Sequence, residues 1–360
     1  MSSTSATRFD CAVIGDWHLA FITAASLTRL GHRIALVNPN PQKPWSDFPK
    51  LELAEPGLPE ALADARREGR IQHYNGISAS WSANIVWLAI DTPVNELDEP
   101  DLSSLQTAAA LVAETHGGAT TNDQPLIFAI NSQVPVGFGG MLEKRFGFSV
   151  AYIPENLRLG KGMETFLSAD RTVIGANRTA TRQRLHVFLA GLKTQFLLCD
   201  LVTSEMIKHA TNAFLATSIS FANQLARIGE SVGADNQIVG QALKLDGRIG
   251  SKAYVSPGLG FAGGTLPRDL RVLQQIGASN RISTPLVDAV FEINETTTRA
   301  ISHTLHELLD GLTGRKIVLL GYSYKAETDT FRRSPSLALA QELNKAGAVV
   351  AGYDPMMNAR

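Results

Sequence analysis

Residues 260–269, GFAGGTLPRD, place three glycines, one hydroxyl, an arginine and an aspartate within ten positions. Closely spaced glycines let the backbone approach a ligand, and charged, flexible loops are frequent sites of binding and catalysis. The hydroxyl, Thr265, is a poor nucleophile without an activating base, and the loop holds neither a histidine nor a second carboxylate. A second stretch of chemical interest is VIGDWHLAF, residues 13–21. A strand, a tight glycine turn and a helix, followed about 20 residues later by an acid, form the dinucleotide fingerprint. Gly15 supplies the turn here, and Ala20 stands where a small residue packs helix on strand. The middle glycine is replaced by Trp17, whose indole would occupy or redirect the space of a pyrophosphate. Asn38 stands where an acid usually holds ribose hydroxyls; it keeps hydrogen bonding and loses the charge. The fold signal survives and the binding signal is altered.

The elements that must carry these residues alternate. CAVIG (11–15) is followed by an alanine-rich helix from Ala20 to Leu30, a stop at Gly31, and RIALVN (33–38). NIVWLAI (84–90), PLIFAI (125–130) and FSVAYIP (148–154) are further short apolar runs. Strands alternating with helices predict an α/β fold with a doubly wound parallel sheet of Rossmann type. Helical spacing takes over at 205–235 and again at 285–312. A βαβ unit then follows: a strand at 316–321, a helix at about 334–346, and AVVAGYDP. This divides the chain into 1–200, 201–312 and 313–360. Two strands and one helix cannot cover both faces of a parallel sheet. The last unit therefore reads as a truncated Rossmann-like unit, from a longer chain or one that leans on another chain or domain.

Composition narrows the function classes. Lys and Arg total 33 against 34 Asp and Glu, which gives no support to a nucleic-acid or acidic-membrane partner. No apolar run approaches the length of a bilayer span, and the start MSSTSATRFD lacks a signal-peptide core. Two cysteines in 360 residues, Cys11 and Cys199, both in short apolar runs, suit inert strand positions in a reducing cytoplasm. The eight histidines show no metal-ligand spacing, and no metal site is expected.

Nine stretches fall in one order: EPGL (55–58), DTP (91–93), VPVG (134–137), PENLRLG (154–160), DRTVIG (170–175), EMIKHATNAFLATSISFANQ (205–224), DGRIG (246–250), PGLGFAGGTLPRD (257–269) and LLGYSYKAETDTFRRSP (319–335). In this order and spacing the chain resembles the UDP-glucose/GDP-mannose dehydrogenase family over nearly its whole length. The resemblance implies an NAD-binding Rossmann domain, a central helical segment that makes a homodimer, and a C-terminal domain that binds a nucleotide sugar. It implies oxidation of the sugar C6 alcohol to a carboxylate with two NAD, through an aldehyde captured by a cysteine thiolate and a thioester cleaved by water.

Carried over residue by residue, Lys208 and Asn212 match the pair that holds the oxygen at C6. They lie four apart, on one helix face, and an ammonium beside an amide can stabilise an oxyanion. Asp269 matches the acid that orients water and this lysine, and Glu155 matches the first glutamate of the PEFLxEG loop. Arg248 matches an arginine that reaches a neighbouring subunit's substrate site, and Gly260, Phe261 and Gly263 belong to the substrate loop. Gly15, Trp17, Asn38, Thr92 and Pro93 fall on the NAD side, and Lys325 and Arg332 on polar positions of the nucleotide-binding domain. Four positions depart from the pattern. Thr265 replaces the cysteine, Leu159 the second glutamate of the PEFLxEG loop, Gln133 a threonine, and Trp17 a glycine. A threonine lacks the thiol's accessible anion. Two readings stay open: an NAD-dependent enzyme that stops short of the acid, with NAD binding weakened or lost, or an inactive homologue with a binding or structural role. Lys208 and Asn212 could also be a solvated helix edge, and Asp269 a helix cap.

Overall fold

The computed structural model describes residues 6–45, 55–95, 99–116, 125–155, 157–158, 160–323, 331 and 334–355. In chain order the elements are β1 (Thr7–Arg8), β2 (Cys11–Ile14), α1 (His18–Arg29), β3 (Ile34–Asn38), α2 (Leu58–Arg67), β4 (Ile71–Asn75), β5 (Trp81–Ser82), β6 (Ile85–Leu88), α3 (Ser103–His116), β7 (Ile127–Ile130), α4 (Phe138–Phe146) and β8 (Ser149–Tyr152). They continue with α5 (Gly162–Leu167), β9 (Arg171–Ala176), α6 (Thr179–Phe188), β10 (Gln195–Cys199), α7 (Leu201–Ser231), α8 (Asn236–Leu245), α9 (Thr265–Ser279), α10 (Pro285–Leu308), β11 (Lys316–Leu320), α11 (Pro335–Lys345) and β12 (Val349–Tyr353). The chain groups into two units, the first Met1–Asn95 with Pro100–Lys208 and the second His209–Arg360 with Glu96–Glu99.

The first unit is built on an eight-stranded sheet in the order β10-β9-β8-β7-β6-β2-β3-β4. From β2 the chain winds outward through β3 to β4, then returns to β6 on the other side of β2. That reversal makes the carboxyl ends of β2 and β6 a topological switch point, where open α/β sheets bind ligands. β2, β3, β6, β7 and β8 are buried along their whole length. Near-continuous apolar runs are what strands covered on both faces require. Alternate side chains feed two cores, one around Val13, Leu36 and Trp87, the other around Ile14, Val37, Phe128 and Tyr152. β9 pairs with β8 antiparallel, a reversal inside the otherwise parallel sheet. Cys11 and Cys199 lie on β2 and β10 as unpaired thiols, and burial pushes both thiol pKa values up.

In the second unit a small core gathers Ala216, Phe261, Leu270 and Val290 from α7, the glycine loop, α9 and α10. A further cluster packs Leu339 and Leu343 of α11 with Leu312 and Ala348. The parallel pair β11–β12 carries an exposed apolar row, with Val318 and Leu320 at 61% and 82% exposure. α7 is one 31-residue helix. Among the described residues no helix is long and apolar enough to cross a membrane.

Candidate active site

At the switch point the chain turns so tightly at Gly15 that only glycine fits. A Cβ there would sit 2.3 Å from the Ala89 carbonyl oxygen and 2.7 Å from the Ala20 Cβ. Gly15 N–H donates to the Val37 carbonyl, and Ala89 N–H to that of Ile14, which knits the turn to β3 and β6. Trp17 is the N-cap of α1, in extended backbone that any residue adopts, and the residue is 42% exposed. No side chain caps α1 and no acid sits in its first turn, so the helix terminus fits a phosphate. The ribose position fits less well. The Asn38 amide donates to the Lys43 carbonyl at 2.8 Å, and its oxygen accepts from Asn40 N–H at 2.9 Å. This carboxamide is engaged in its own loop, and its donor role is one that aspartate could not fill. Thr92 is buried, with its hydroxyl donating to the Gln133 carbonyl at 2.9 Å. The Pro93 carbonyl accepts from Asp101 N–H.

His18, the first residue of α1, is buried against Glu55, with Nε2 3.1 Å from the carboxylate. Burial pulls the imidazole below its ordinary value, against the opposing pull of Glu55. The same carboxylate accepts from Gly160 and Gly162 N–H, at 3.0 and 2.5 Å.

Lys208 is 3% exposed, which rules out a solvated helix edge. Its ammonium donates to the Glu155 carbonyl, and lies 3.1 Å from the Glu155 carboxylate. Two of its three donors are thus held by one residue. Glu155 in turn accepts from Leu157 N–H at 2.9 Å. One turn before Lys208, Glu205 accepts from Gly137 and Gly139 N–H at 2.5 and 2.8 Å, capping α4 from within the fold.

Asp269 is fully buried in the second unit. One carboxylate oxygen faces His209 Nδ1 at 2.8 Å, and the other accepts from the Asn212 amide. This corrects the reading of Asp269 as a helix cap. α9 begins at Thr265 with Gly264 as N-cap, so Asp269 lies inside the helix and turns onto α7. The tract TLPRD, expected to be loop, is the first turn and a half of α9. Pro267 does not prevent this, because the first-turn amides of a helix have no intrahelical acceptor. Thr265 is exposed at this helix start. Gly260, at φ +96°, occupies a region that favours glycine, and a Cβ there would meet Asn294 Oδ1 at 2.5 Å. That same oxygen accepts from Phe261 N–H at 2.7 Å, and the Phe261 ring enters the core. Gly263 has φ +75°. Arg248 is exposed and paired with Asp246 at 2.7 Å, which holds the aspartate below its ordinary carboxylate value. Lys325, Arg332 and Leu159 lie outside the described residues.

Residues 9–190 match the NAD binding domain of the UDP-glucose/GDP-mannose dehydrogenase family, 202–296 its central domain, and 318–360 its UDP binding domain. The chain belongs to this family. It is 31% identical over 355 residues to a UDP-glucose 6-dehydrogenase of Bacillus subtilis, covering 96% of this chain and 76% of that one. A UDP-glucose 6-dehydrogenase of Rhizobium meliloti is 32% identical, with 97% and 82% covered. The structure of a UDP-glucose dehydrogenase from the archaeon Pyrobaculum islandicum superposes with a TM-score of 0.84 at 30% identity, covering 100% of this chain and 85% of that one. The chain is thus a nucleotide-sugar dehydrogenase family member with an NAD-binding domain on a Rossmann-type sheet.

Sequence reasoning missed His18, Glu55, Glu205 and His209. Their partners lie 37 to 107 residues away. All four stand in stretches already singled out, His18 in VIGDWHLAF, Glu55 in EPGL, and Glu205 and His209 in EMIKHATNAF, but none was given a role there.

Proposed function

We propose that this chain oxidises the C6 alcohol of a nucleotide sugar with NAD and does not carry the oxidation through to the acid. The observation that carries this reading is Lys208, a buried ammonium held by Glu155 with a third donor left to bind an oxygen. An ammonium in a dry site stabilises a developing alkoxide far more than one in water. Asn212 lies one turn further along α7, and Asp269 fixes its amide. NAD, when bound, supplies the hydride acceptor, with Gly15 and the first turn of α1 holding its phosphates and Thr92 and Pro93 beside it. Thr265 has no thiol to hold an aldehyde covalently, so the aldehyde is the expected end point.

UDP-sugars are the substrate class, because the relatives above are UDP-glucose dehydrogenases. Gly260, Phe261 and Gly263 would line the sugar, with Lys325 and Arg332 on the nucleotide. A homodimer is proposed through α7, whose Phe214, Phe221 and Ile228 recur every seventh residue and are exposed. Arg248 is exposed and suited to reach a second copy. A single monomeric species in sedimentation at micromolar concentration would contradict the dimer. The three-part division at 200 and 312 and a cytoplasmic setting belong to the same reading. A second reading, a binding homologue without turnover, draws on the engaged carboxamide of Asn38. NADH absorbance during incubation with UDP-glucose separates the two. The enzyme reading predicts a signal that Lys208→Met lowers by about 100-fold or more; no signal above a protein-free control favours the second.

A further inference from the structure

EPGL places an acid, Glu55, before the glycine turn that starts α2, and the reaction outlined above gives it no task. Its side chain is 1% exposed, and three donors converge on it. Gly162 N–H reaches Oε1 at 2.5 Å, and Gly160 N–H reaches Oε2 at 3.0 Å. His18 Nε2 lies 3.1 Å from Oε2. A carboxylate this deeply buried is tolerated only when its oxygens are met by donors, so these three contacts fix its place.

The donors come from two functional regions. His18 opens α1 and follows Trp17 at the dinucleotide turn. Gly160 and Gly162 end the segment that starts at Glu155, whose carbonyl and carboxylate hold Lys208. Lys208 therefore holds Glu155, and Glu55 holds Gly160 and Gly162. Glu55 thus ties the first turn of α1 to Gly160 and Gly162.

We infer that Glu55 is a positioning residue that fastens Gly160 and Gly162 to the first turn of α1 and thereby couples dinucleotide binding to sugar binding. The inference rests on Glu155 and Lys208 belonging to the sugar site. Such coupling is reciprocal: each ligand changes the other's affinity by the same factor.

The test is calorimetry of the full chain with UDP-glucose, with and without saturating NAD, alongside amide exchange in the ligand-free protein. In the wild type NAD is expected to change the UDP-glucose affinity by about fivefold or more. Glu55→Gln keeps the side-chain shape and replaces one acceptor with a donor. It should bring that factor close to one and speed exchange at the Gly160 and Gly162 amides by roughly tenfold. His18→Leu removes one donor and leaves the glycine contacts, so it should abolish the coupling while the two amides stay protected. This milder variant keeps the test open if Glu55→Gln does not fold. His18→Gln, which retains a donor, should restore part of the coupling. A Glu55→Gln protein with a lower Tm and the wild-type coupling factor would make Glu55 structural only and overturn the inference. Failure of the wild type to bind UDP-glucose at all would instead overturn the sugar-site reading on which it rests.

Discussion

The turn at Gly15–Ala20 opens α1, the cluster at His209, Asn212 and Asp269 joins α7 to α9, and the two differ in what constrains them. At the turn, a Cβ on Gly15 would lie under 3 Å from the Ala89 carbonyl oxygen and the Ala20 Cβ, so packing fixes the glycine, while Trp17 stands 42% exposed with extended backbone. In the cluster, side chains are buried and paired, and Asp269 has no exposed surface. Thr265, at the exposed start of the same α9, resembles Trp17 in this respect. Of the three departures from the family pattern among the described residues, Trp17 and Thr265 are exposed, whereas Gln133 is buried. Residues whose loss would strand a buried donor are retained.

This contrast is open to direct attack. Asp269→Ala should cost about 3–5 kcal/mol in urea unfolding, because it leaves the His209 and Asn212 donors buried without their acceptor. A loss below about 1 kcal/mol would mean that the cluster is solvated and the contrast fails. Gly15→Ala should lose roughly 1–3 kcal/mol, since the Ala89 backbone cannot move aside as a flexible side chain would. Trp17→Gly tests the other side. Its stability should change little, by about 1 kcal/mol at most as the chain gains freedom, and its NAD affinity should rise by about tenfold, or 1.4 kcal/mol, as the indole leaves the turn. Tight NAD binding by the wild type, unchanged in Trp17→Gly, would show that the indole never crowds the cofactor.

Much of the first unit was legible because its strands are buried on both faces and read as unbroken apolar runs. CAVIG, NIVWLAI and PLIFAI became β2, β6 and β7. The reversal at β9 was hidden, because nothing in RTVIGA records which way its neighbour runs. The start of α9 was hidden as well. Two glycines and a proline punctuate a chain strongly, yet Pro267 is compatible with a first helical turn and Asp269 falls one position later than a first-turn reading allows. Lys208 and Asn212 were found through the family pattern, and their burial answers the alternative of a solvated edge. His209 and Glu55 were not found. A histidine on a helix and an acid before a glycine turn become functional candidates only when the fold brings Asp269 and Gly162 against them.

The central claim is that the polar machinery for removing a hydride is present while the covalent route to the acid is not. Product analysis by mass spectrometry, with NADH counted in the same incubation of enzyme, NAD and UDP-glucose, tests it most directly. The account predicts one NADH per sugar consumed and a product at the aldehyde level, free or hydrated, with no more than a trace of uronate. Thr265→Cys alone should leave that stoichiometry unchanged, since Leu159 replaces the carboxylate that the family pattern assigns to thioester hydrolysis. Two NADH per sugar and a sugar acid from the native sequence would show that another group does the work of the thiol, and would contradict the account.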